Sequence, residues 1–259
     1  MIGIQIIARL GSTRLKRKHL IKALDKTFLE WLILRIQNEF INEITLKEIK
    51  IFISTSDEIE NKEFEQLKEK LNVDVFYGSI NNIPLRLLEC SKANDLKGII
   101  SIDGDDILSS TKAIRIIYDS LKIYKNEFIK TSGLPLGMNI SGFNSHFLEK
   151  IIENNLNQIN FETGWGVLFE PYNSINYQFK FSNISEIRAT LDYKEDALFF
   201  LSIIEQLQDR VITIKDTDLI KFIIENKIYK INSSLNDEYW RNFNSNHTQK
   251  NSKYLRNLL

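Results

Sequence analysis

The sequence predicts an α/β fold: a mainly parallel sheet with helices on both faces, followed by a mixed, β-rich second half. Three observations predict it. Strand-like and helix-like patterns alternate through the first half of the chain, and a β-α-β-α rhythm implies parallel strands joined by covering helices. The strand candidates are short, apolar and β-branched, without helical period. The loops after them carry charged and small hydroxyl residues, at the strand ends where open α/β sheets bind ligands.

Ile2–Ala8, reading IGIQIIA, is the first strand. Thr27 and Glu30 have the spacing of a capping box, in which a hydroxyl and a carboxylate satisfy two open N–H groups at a helix start. The helix they open carries Phe28, Leu29, Trp31, Leu32, Ile36 and Phe40 at near-helical spacing. Ile49–Ile53 is the next strand, Ile59–Leu71 a charged amphipathic helix, and Val73–Phe76 a short strand closed by the Tyr77-Gly78-Ser79 turn. Pro84–Ala93 reads as helix, Gly98–Ile102 as strand and Thr111–Tyr124 as helix. Beyond Phe128 the rhythm changes. Phe128–Thr131, Met138–Phe143, Tyr177–Phe181 and Glu186–Leu191 read as strands, mixed with short helices at Ser145–Glu153 and Phe161–Phe169, which implies a mixed sheet edge or a β-rich lobe. Lys194–Gln208 and Thr217–Asn226 read as helices, and Asn242–Lys253 as a polar, loose tail. The expected organisation is one domain over 1–240, with halves 1–125 and 126–240, and a polar tail at 241–259. No internal repeat is visible.

The 259 residues, 43% hydrophobic, suffice for one substantial core. Lys plus Arg and Asp plus Glu both number 34, so the chain lacks the basic excess that nucleic-acid binding needs. The lone cysteine, Cys90, excludes an intrachain disulfide and lies in an apolar-patterned segment, as a core residue rather than a nucleophile. An apolar strand followed by charge is not the order of a signal peptide, and no apolar run approaches 18 residues. A reduced, cytoplasmic compartment without membrane contact is the expectation.

The first strand runs straight into Arg9-Leu10-Gly11-Ser12-Thr13-Arg14-Leu15-Lys16-Arg17-Lys18-His19-Leu20. One glycine, two hydroxyls and five Lys or Arg side chains suit a polyphosphate, since N–H and hydroxyl groups donate to phosphate oxygens while cations neutralise them. Neither the Walker A nor the dinucleotide-binding glycine spacing is present. A solvated basic loop is the plainer alternative. Asp103-Gly104-Asp105-Asp106 ends a middle strand. Carboxylates about 4 Å apart repel by about 4 kcal/mol at an effective dielectric near 20, and a divalent cation removes that cost. Hard oxygen ligands without nearby His or Cys favour Mg²⁺ or Mn²⁺; a solvated acidic turn is equally compatible. Asp192, in Leu191-Asp192-Tyr193-Lys194-Glu195-Asp196, reads either as a further ligand or as a helix N-cap boxed with Glu195.

Together these segments resemble the cytidylyltransferases that activate acidic sugars: the 3-deoxy-manno-octulosonate and N-acetylneuraminate types and, most closely, the spore-coat polysaccharide F type. The matching residues are Ile6-Ile7-Ala8-Arg9-x-Gly11-Ser12-Thr13-Arg14-Leu15-x-x-Lys18-x-Leu20, Gly104-Asp105 and Leu191-Asp192-x-x-Glu195-Asp196, with weaker echoes at Gly78-Ser79, Arg86 and Pro135–Asn139. The resemblance spans roughly residues 1–240. It implies a Rossmann-like nucleotide-diphospho-sugar transferase fold. CTP would lie on Ala8, Arg9, Gly11, Ser12, Thr13, Arg14 and Lys18, with Gly78, Ser79, Arg86, Asp103 and Gly104 completing the nucleotide site. Asp105 and Asp192 would hold Mg²⁺ (or Mn²⁺). Lys18, Arg14 and Asp105 would be the catalytic set. The chain departs from the pattern at Lys16 and Ile107, where proline is usual, and at Ser141, where an acidic residue is common.

The reading that follows is a Mg²⁺-dependent transfer of CMP from CTP to a small, anionic acceptor, with release of pyrophosphate, in surface-glycan biosynthesis. Arg188 and Asn139 are the acceptor candidates, Arg188 having a surface salt bridge as its alternative role. Trp165, Tyr172 and Tyr177 either line the acceptor pocket or fill the core. A homodimer is expected through residues 130–185, where Phe143, Phe147, Trp165 and Phe169 offer apolar surface and where related enzymes pair. Two alternatives stay open. Asp103-Gly104-Asp105 has the D-x-D spacing of A-type-fold glycosyltransferases, and a non-catalytic nucleotide-binding homologue would keep the fold without turnover.

Overall fold

Ile2–Ile7 (β1) is buried at every position because it is the middle of the sheet, paired in parallel with Ile49–Ser56 (β4) on one side and Gly98–Asp103 (β6) on the other. The computed structural model describes residues 1–123, 127–155, 161, 164–236 and 241. A small hairpin, Lys22–Ala23 (β2) with Lys26–Thr27 (β3), stands apart. Asp74–Gly78 (β5) adds outside β4 in parallel. Beyond β6 come Ser141–Asn144 (β8), Phe128–Ser132 (β7) and Ile175–Gln178 (β9). β8 is antiparallel to both β6 and β7, and β9 is parallel to β7. The seven-stranded order is β5-β4-β1-β6-β8-β7-β9. The second half therefore extends the same sheet as its mixed edge.

The period of two along each strand divides the core between the two faces. Ile4, Ile6, Ile51, Ile53, Ile100 and Ile102 join one cluster, with residues of Phe28–Glu39 (α1), Thr111–Ile123 (α5) and Lys194–Leu207 (α7). Ile7, Ile99, Phe128 and Phe143 join the other, with residues of Ile83–Ala93 (α4) and Ser145–Asn154 (α6). Gln5 is a polar residue in the buried strand. Its side-chain amide is satisfied, Nε2 donating to the Leu87 carbonyl at 3.0 Å while Oε1 accepts from Ser54 at 2.7 Å. The capping box opens α1 as expected: Thr27 accepts from the Glu30 N–H, and Glu30 accepts from the Thr27 N–H.

Several segments differ from expectation. Ile59–Leu71 is a 3-10 turn, Ile59–Phe64, before a short helix, Glu65–Leu71 (α3). Met138 belongs to a turn, its N–H donating to Pro135 at 3.0 Å, so β8 starts only at Ser141. Trp165–Phe169 is a 3-10 turn entered through Gly164 at φ 59°. Glu186–Leu191 is not a strand. Its apolar residues are buried, which gave the strand-like pattern, but among the described residues its one β-bridge, Arg188 to Leu136, lies outside the strands of the sheet. Phe143, Phe147 and Phe169 are buried in the second core cluster, so they fill the domain rather than offer a dimer surface. Tyr177 packs on the first cluster and accepts from Ser120 at 2.8 Å. Among the described residues no helix is long and apolar enough to cross a membrane. Tyr124 and the tail from Asn242 lie outside the described residues.

Candidate active site

β1, β4, β5 and β6 all end at one edge of the sheet, and the register brings two loops together there. Ile7 lies beside Ser54 on one side and Asp103 on the other. The basic loop and the acidic turn thus leave the sheet as neighbours. The Gly104 N–H donates to the Ile7 carbonyl at 2.7 Å. A Cβ at 104 would stand 2.8 Å from that oxygen, so this approach requires glycine.

The basic loop is a hook held from the side. The Leu10 N–H donates to the buried Asn61 at 2.8 Å, and Asn61 donates to the Ser56 carbonyl and hydroxyl at 3.0 and 2.9 Å. The Arg17 N–H closes onto the Leu10 carbonyl at 3.3 Å, while its guanidinium forks onto Glu63 at 2.6 and 2.5 Å. Between these anchors Gly11, Thr13 and Arg14 are exposed and Ser12 half-buried, its hydroxyl accepting from the Leu15 N–H at 3.4 Å. Ala8 is buried at the strand end and Arg9 half-buried above it.

After Arg17 the chain turns inward as the 3-10 turn Lys18–Leu20, which buries Lys18 and His19. Lys18 is therefore not one more solvated cation. Its Nζ donates to Asp105 Oδ2 at 2.5 Å and to Asp192 Oδ1 at 3.1 Å. Burial opposes its charge, but the two carboxylates outweigh burial and hold its pKa above the ordinary lysine value. His19 Nε2 lies 3.4 Å from Asp105 Oδ1, and its Nδ1 is 3.2 Å from the Gly104 carbonyl. Burial lowers the His19 pKa and keeps the ring neutral. Arg14, half-exposed, donates to Asp192 Oδ1 at 2.6 Å.

Asp103 and Asp106 flank this cluster. Asp103 reaches solvent at the mouth of the cleft, yet the surrounding protein strips much of its hydration and Asp105 adds like charge, so its pKa is pushed up to about 7. Desolvation, then repulsion from Asp103, raises Asp106 as well. Both shifts run toward the neutral carboxyl, with burial the larger cause in each and neighbouring carboxylates adding to it.

Asp192 is not the N-cap, and Glu195 does not complete a box with it. Tyr193 caps α7, and the third helical residue is Asp196. Asp196 Oδ2 accepts from the Asp192 and Tyr193 N–H groups, both at 2.9 Å, which leaves the Asp192 carboxylate to face the cleft. Arg188 is neither a surface residue nor open to an acceptor. It is fully buried, donating to Asp192 Oδ2 at 3.2 Å and to Asp196 Oδ1 at 2.9 Å. Arg86 is buried too and donates to the Ser79 and Ile80 carbonyls at 2.8 and 3.1 Å, shaping the loop after Gly78. The Ser79 N–H donates to Glu89 at 2.8 Å. Asn139 closes its own turn, donating to the Leu134 carbonyl at 3.2 Å. Gly137, at φ 85°, lets that turn press on the Ala189 carbonyl, where a Cβ would stand 2.2 Å away.

The structure therefore joins Arg14, Lys18, Asp105 and Asp192 in one cluster. Sequence reasoning gave no role to His19, Asn61 or Asn232, and held Asp196 only as part of the Leu191–Asp196 match. Asp196 stands three residues after the capping Tyr193, a spacing that was legible. Asn61, inside a 3-10 turn, and Asn232, between two of them, are single amides that carry no sequence signal. An apolar hollow between α1 and the short helix Ile41–Thr45 (α2), lined by Leu34, Ile41, Ile44 and Ile212 among others, has no ionisable group in its lining, unlike the charged cluster at the strand ends.

The cytidylyltransferase family model matches residues 3–228. The chain belongs to the cytidylyltransferase family. This cytidylyltransferase is 28% identical over 246 residues, 93% of its length and 98% of the other's, to an uncharacterized protein of Methanocaldococcus jannaschii. It is similar to a cytidylyltransferase structure from Leptospira borgpetersenii, at 25% identity and TM-score 0.74, covering 88% of this chain and 95% of that one. A CMP:2-keto-3-deoxy-manno-octonic acid synthetase solved with CTP shares the fold at 12% identity and TM-score 0.56, covering 79% of this cytidylyltransferase and 98% of that chain. Family membership makes the protein a nucleotidyltransferase and sets aside the glycosyltransferase reading of Asp103-Gly104-Asp105.

Proposed function

We propose that this cytidylyltransferase moves CMP from CTP to a small anionic, sugar-like acceptor, with Mg²⁺ or Mn²⁺ held by Asp105 and Asp192. One observation carries the cation assignment. A single ammonium nitrogen, that of Lys18, reaches both carboxylates at 2.5 and 3.1 Å, so their oxygens are close enough to share one cation. Among the described residues no three His, Cys, Asp or Glu side chains form a metal cage. Two carboxylates completed by substrate phosphates suit Mg²⁺, which keeps few protein ligands. When bound, the cation supplies charge neutralisation at the α-phosphate and the attacking oxygen.

The reaction is an in-line displacement. An acceptor oxygen forms a bond to the α-phosphorus, the bond to the bridging oxygen breaks, and pyrophosphate leaves. The protein's part is positioning and electrostatics. The exposed loop N–H groups at 11–13 and the Ser12 and Thr13 hydroxyls would donate to the triphosphate. Arg14 would exchange its contact with Asp192 for phosphate oxygens, and Lys18, displaced from between the two carboxylates, would neutralise the departing pyrophosphate.

An acidic-sugar acceptor is supported by the likeness to the 2-keto-3-deoxy-manno-octonic acid enzyme. The spore-coat polysaccharide F type remains the proposed branch, with a CMP-sugar for surface-glycan assembly as product and the cytoplasm as compartment. A homodimer is retained as part of this reading, its support now the open edge of β9 with Ile175 exposed. Calorimetric titration of CTP, UTP, ATP and GTP with Mg²⁺ tests the nucleotide. CTP should bind at least tenfold tighter than the others and only with the cation; equal binding of all four would overturn the assignment.

A further inference from the structure

We propose that Asn232 is a positioning residue for Asp192, which makes the turn after the last helices part of the cation site. The proposal rests on the reading of Asp192 as a cation ligand. After α7 the chain runs through Arg210–Thr213 (α8) and Asp216–Glu225 (α9), then through 3-10 turns at Ile228–Ile231 and Ser233–Leu235. Asn232 lies between those turns and is fully buried. Its Nδ2 donates to two acceptors at once, the Arg188 carbonyl at 2.9 Å and Asp196 Oδ1 at 2.8 Å.

Those two residues control Asp192 from both sides. Asp196 fixes its backbone, accepting from the Asp192 N–H at 2.9 Å. Arg188 fixes its side chain, donating to Oδ2 at 3.2 Å, which turns Oδ1 toward Lys18 and Arg14. Arg188 and Asp196 also bond directly, at 2.9 Å. The Asn232 amide clamps the backbone of one to the carboxylate of the other.

A second observation points the same way. The Asn232 side-chain oxygen, Oδ1, is buried and meets no donor among the described residues. Burying an unpaired carbonyl is costly, so the amide is retained for what its NH₂ does. The opposite orientation would set its oxygen against a carbonyl and a carboxylate, so the donor assignment is fixed by its neighbours. Ile228, buried in the first core cluster, anchors the turn independently of this clamp.

Groups that orient a metal ligand commonly change metal affinity by about 10- to 100-fold when removed. A purely structural amide would lower stability and leave cation affinity alone. The test is Mn²⁺ binding to the full chain with CTP saturating and no acceptor, read from the enhancement of water-proton relaxation that protein-bound Mn²⁺ gives and Mn²⁺ on free CTP does not, with melting temperatures alongside. Asn232→Ala should weaken Mn²⁺ about tenfold. Asn232→Ser, which keeps one donor, should lie between it and the wild type, and it serves if the alanine variant does not fold. Ile228→Ala should lower the melting temperature while changing Mn²⁺ affinity less than about twofold. Wild-type affinity in folded Asn232→Ala and Asn232→Ser, or equal weakening by Ile228→Ala, would overturn the proposal. Asp192→Asn separates the layers. If it binds Mn²⁺ as the wild type does, the cation assignment falls and the Asn232 proposal with it; if it loses Mn²⁺ while the Asn232 variants keep it, only the latter falls.

Discussion

Replacing Lys18 by Met tests how the protein manages its acidic cleft before substrate arrives. Methionine keeps the length and most of the packing of the stem and removes the ammonium. In the folded protein that ammonium is nearly inaccessible and lies 2.5 Å from Asp105 and 3.1 Å from Asp192. Its pKa is raised, so its stabilising contribution is complete below the unfolded-state lysine value and is lost only as pH rises through the higher folded one. The lysine is therefore charged throughout any neutral assay. Without it, two carboxylates face each other across roughly 5 Å, which at an effective dielectric near 20 is a repulsion of about 3 kcal/mol. Asp105 is 27% exposed, which places the cost at the low end of the 3–5 kcal/mol usual for breaking a buried pair. For a chain of this size that corresponds to a loss of about 6 °C in Tm. Scanning fluorimetry with and without millimolar Mg²⁺, in the absence of nucleotide, reads the effect. The variant should melt about 6 °C lower and recover roughly half of that with Mg²⁺, while the wild type, whose ammonium already fills the place, moves by less than about 1 °C. A variant that melts with the wild type, or equal Mg²⁺ shifts in both, would refute the reasoning.

Asp105→Asn and Asp192→Asn should each abolish pyrophosphate release from CTP while circular dichroism stays native. Asp192→Asn should cost more stability, by about 1–3 kcal/mol, because it strips a partner from buried Arg188. Cys90 is buried and its thiol is pushed up to about 12, so it should not react with a disulfide reagent at pH 8 until the protein unfolds; rapid reaction in the native state would show that α4 opens locally. Light scattering at micromolar protein should give a dimer, and a mass near 30 kDa with and without CTP and Mg²⁺ would defeat the dimer.

The central part of this site was legible because its signals are local. The run from Ile2 to Ile7 reads as a buried strand, and the residues after it had to fall at the sheet edge. The same holds for Asp105 after β6. The roles of individual cations were not legible. Lys18 and Arg17 are adjacent in a basic string, but a left-handed turn at Arg17 sends one into Asp105 and Asp192 and the other out to Glu63. Arg188 looked like a surface or acceptor residue because its ion pairs to Asp192 and Asp196, four and eight residues on, depend on how the chain turns after it. The segment 186–191 looked like a strand because burial and strand pairing leave the same apolar pattern. Asn232 and Asn61 act through long-range hydrogen bonds to backbone, which no sequence spacing encodes.

The measurement that tests the account most directly is pyrophosphate release from CTP across a panel of acidic sugars, run for the wild type and for Asp105→Asn, with Mg²⁺ and with chelator. The account predicts release with at least one acidic sugar, dependent on Mg²⁺ and absent from the variant. Release that survives both chelator and Asp105→Asn, or turnover of another triphosphate with none from CTP, would contradict it.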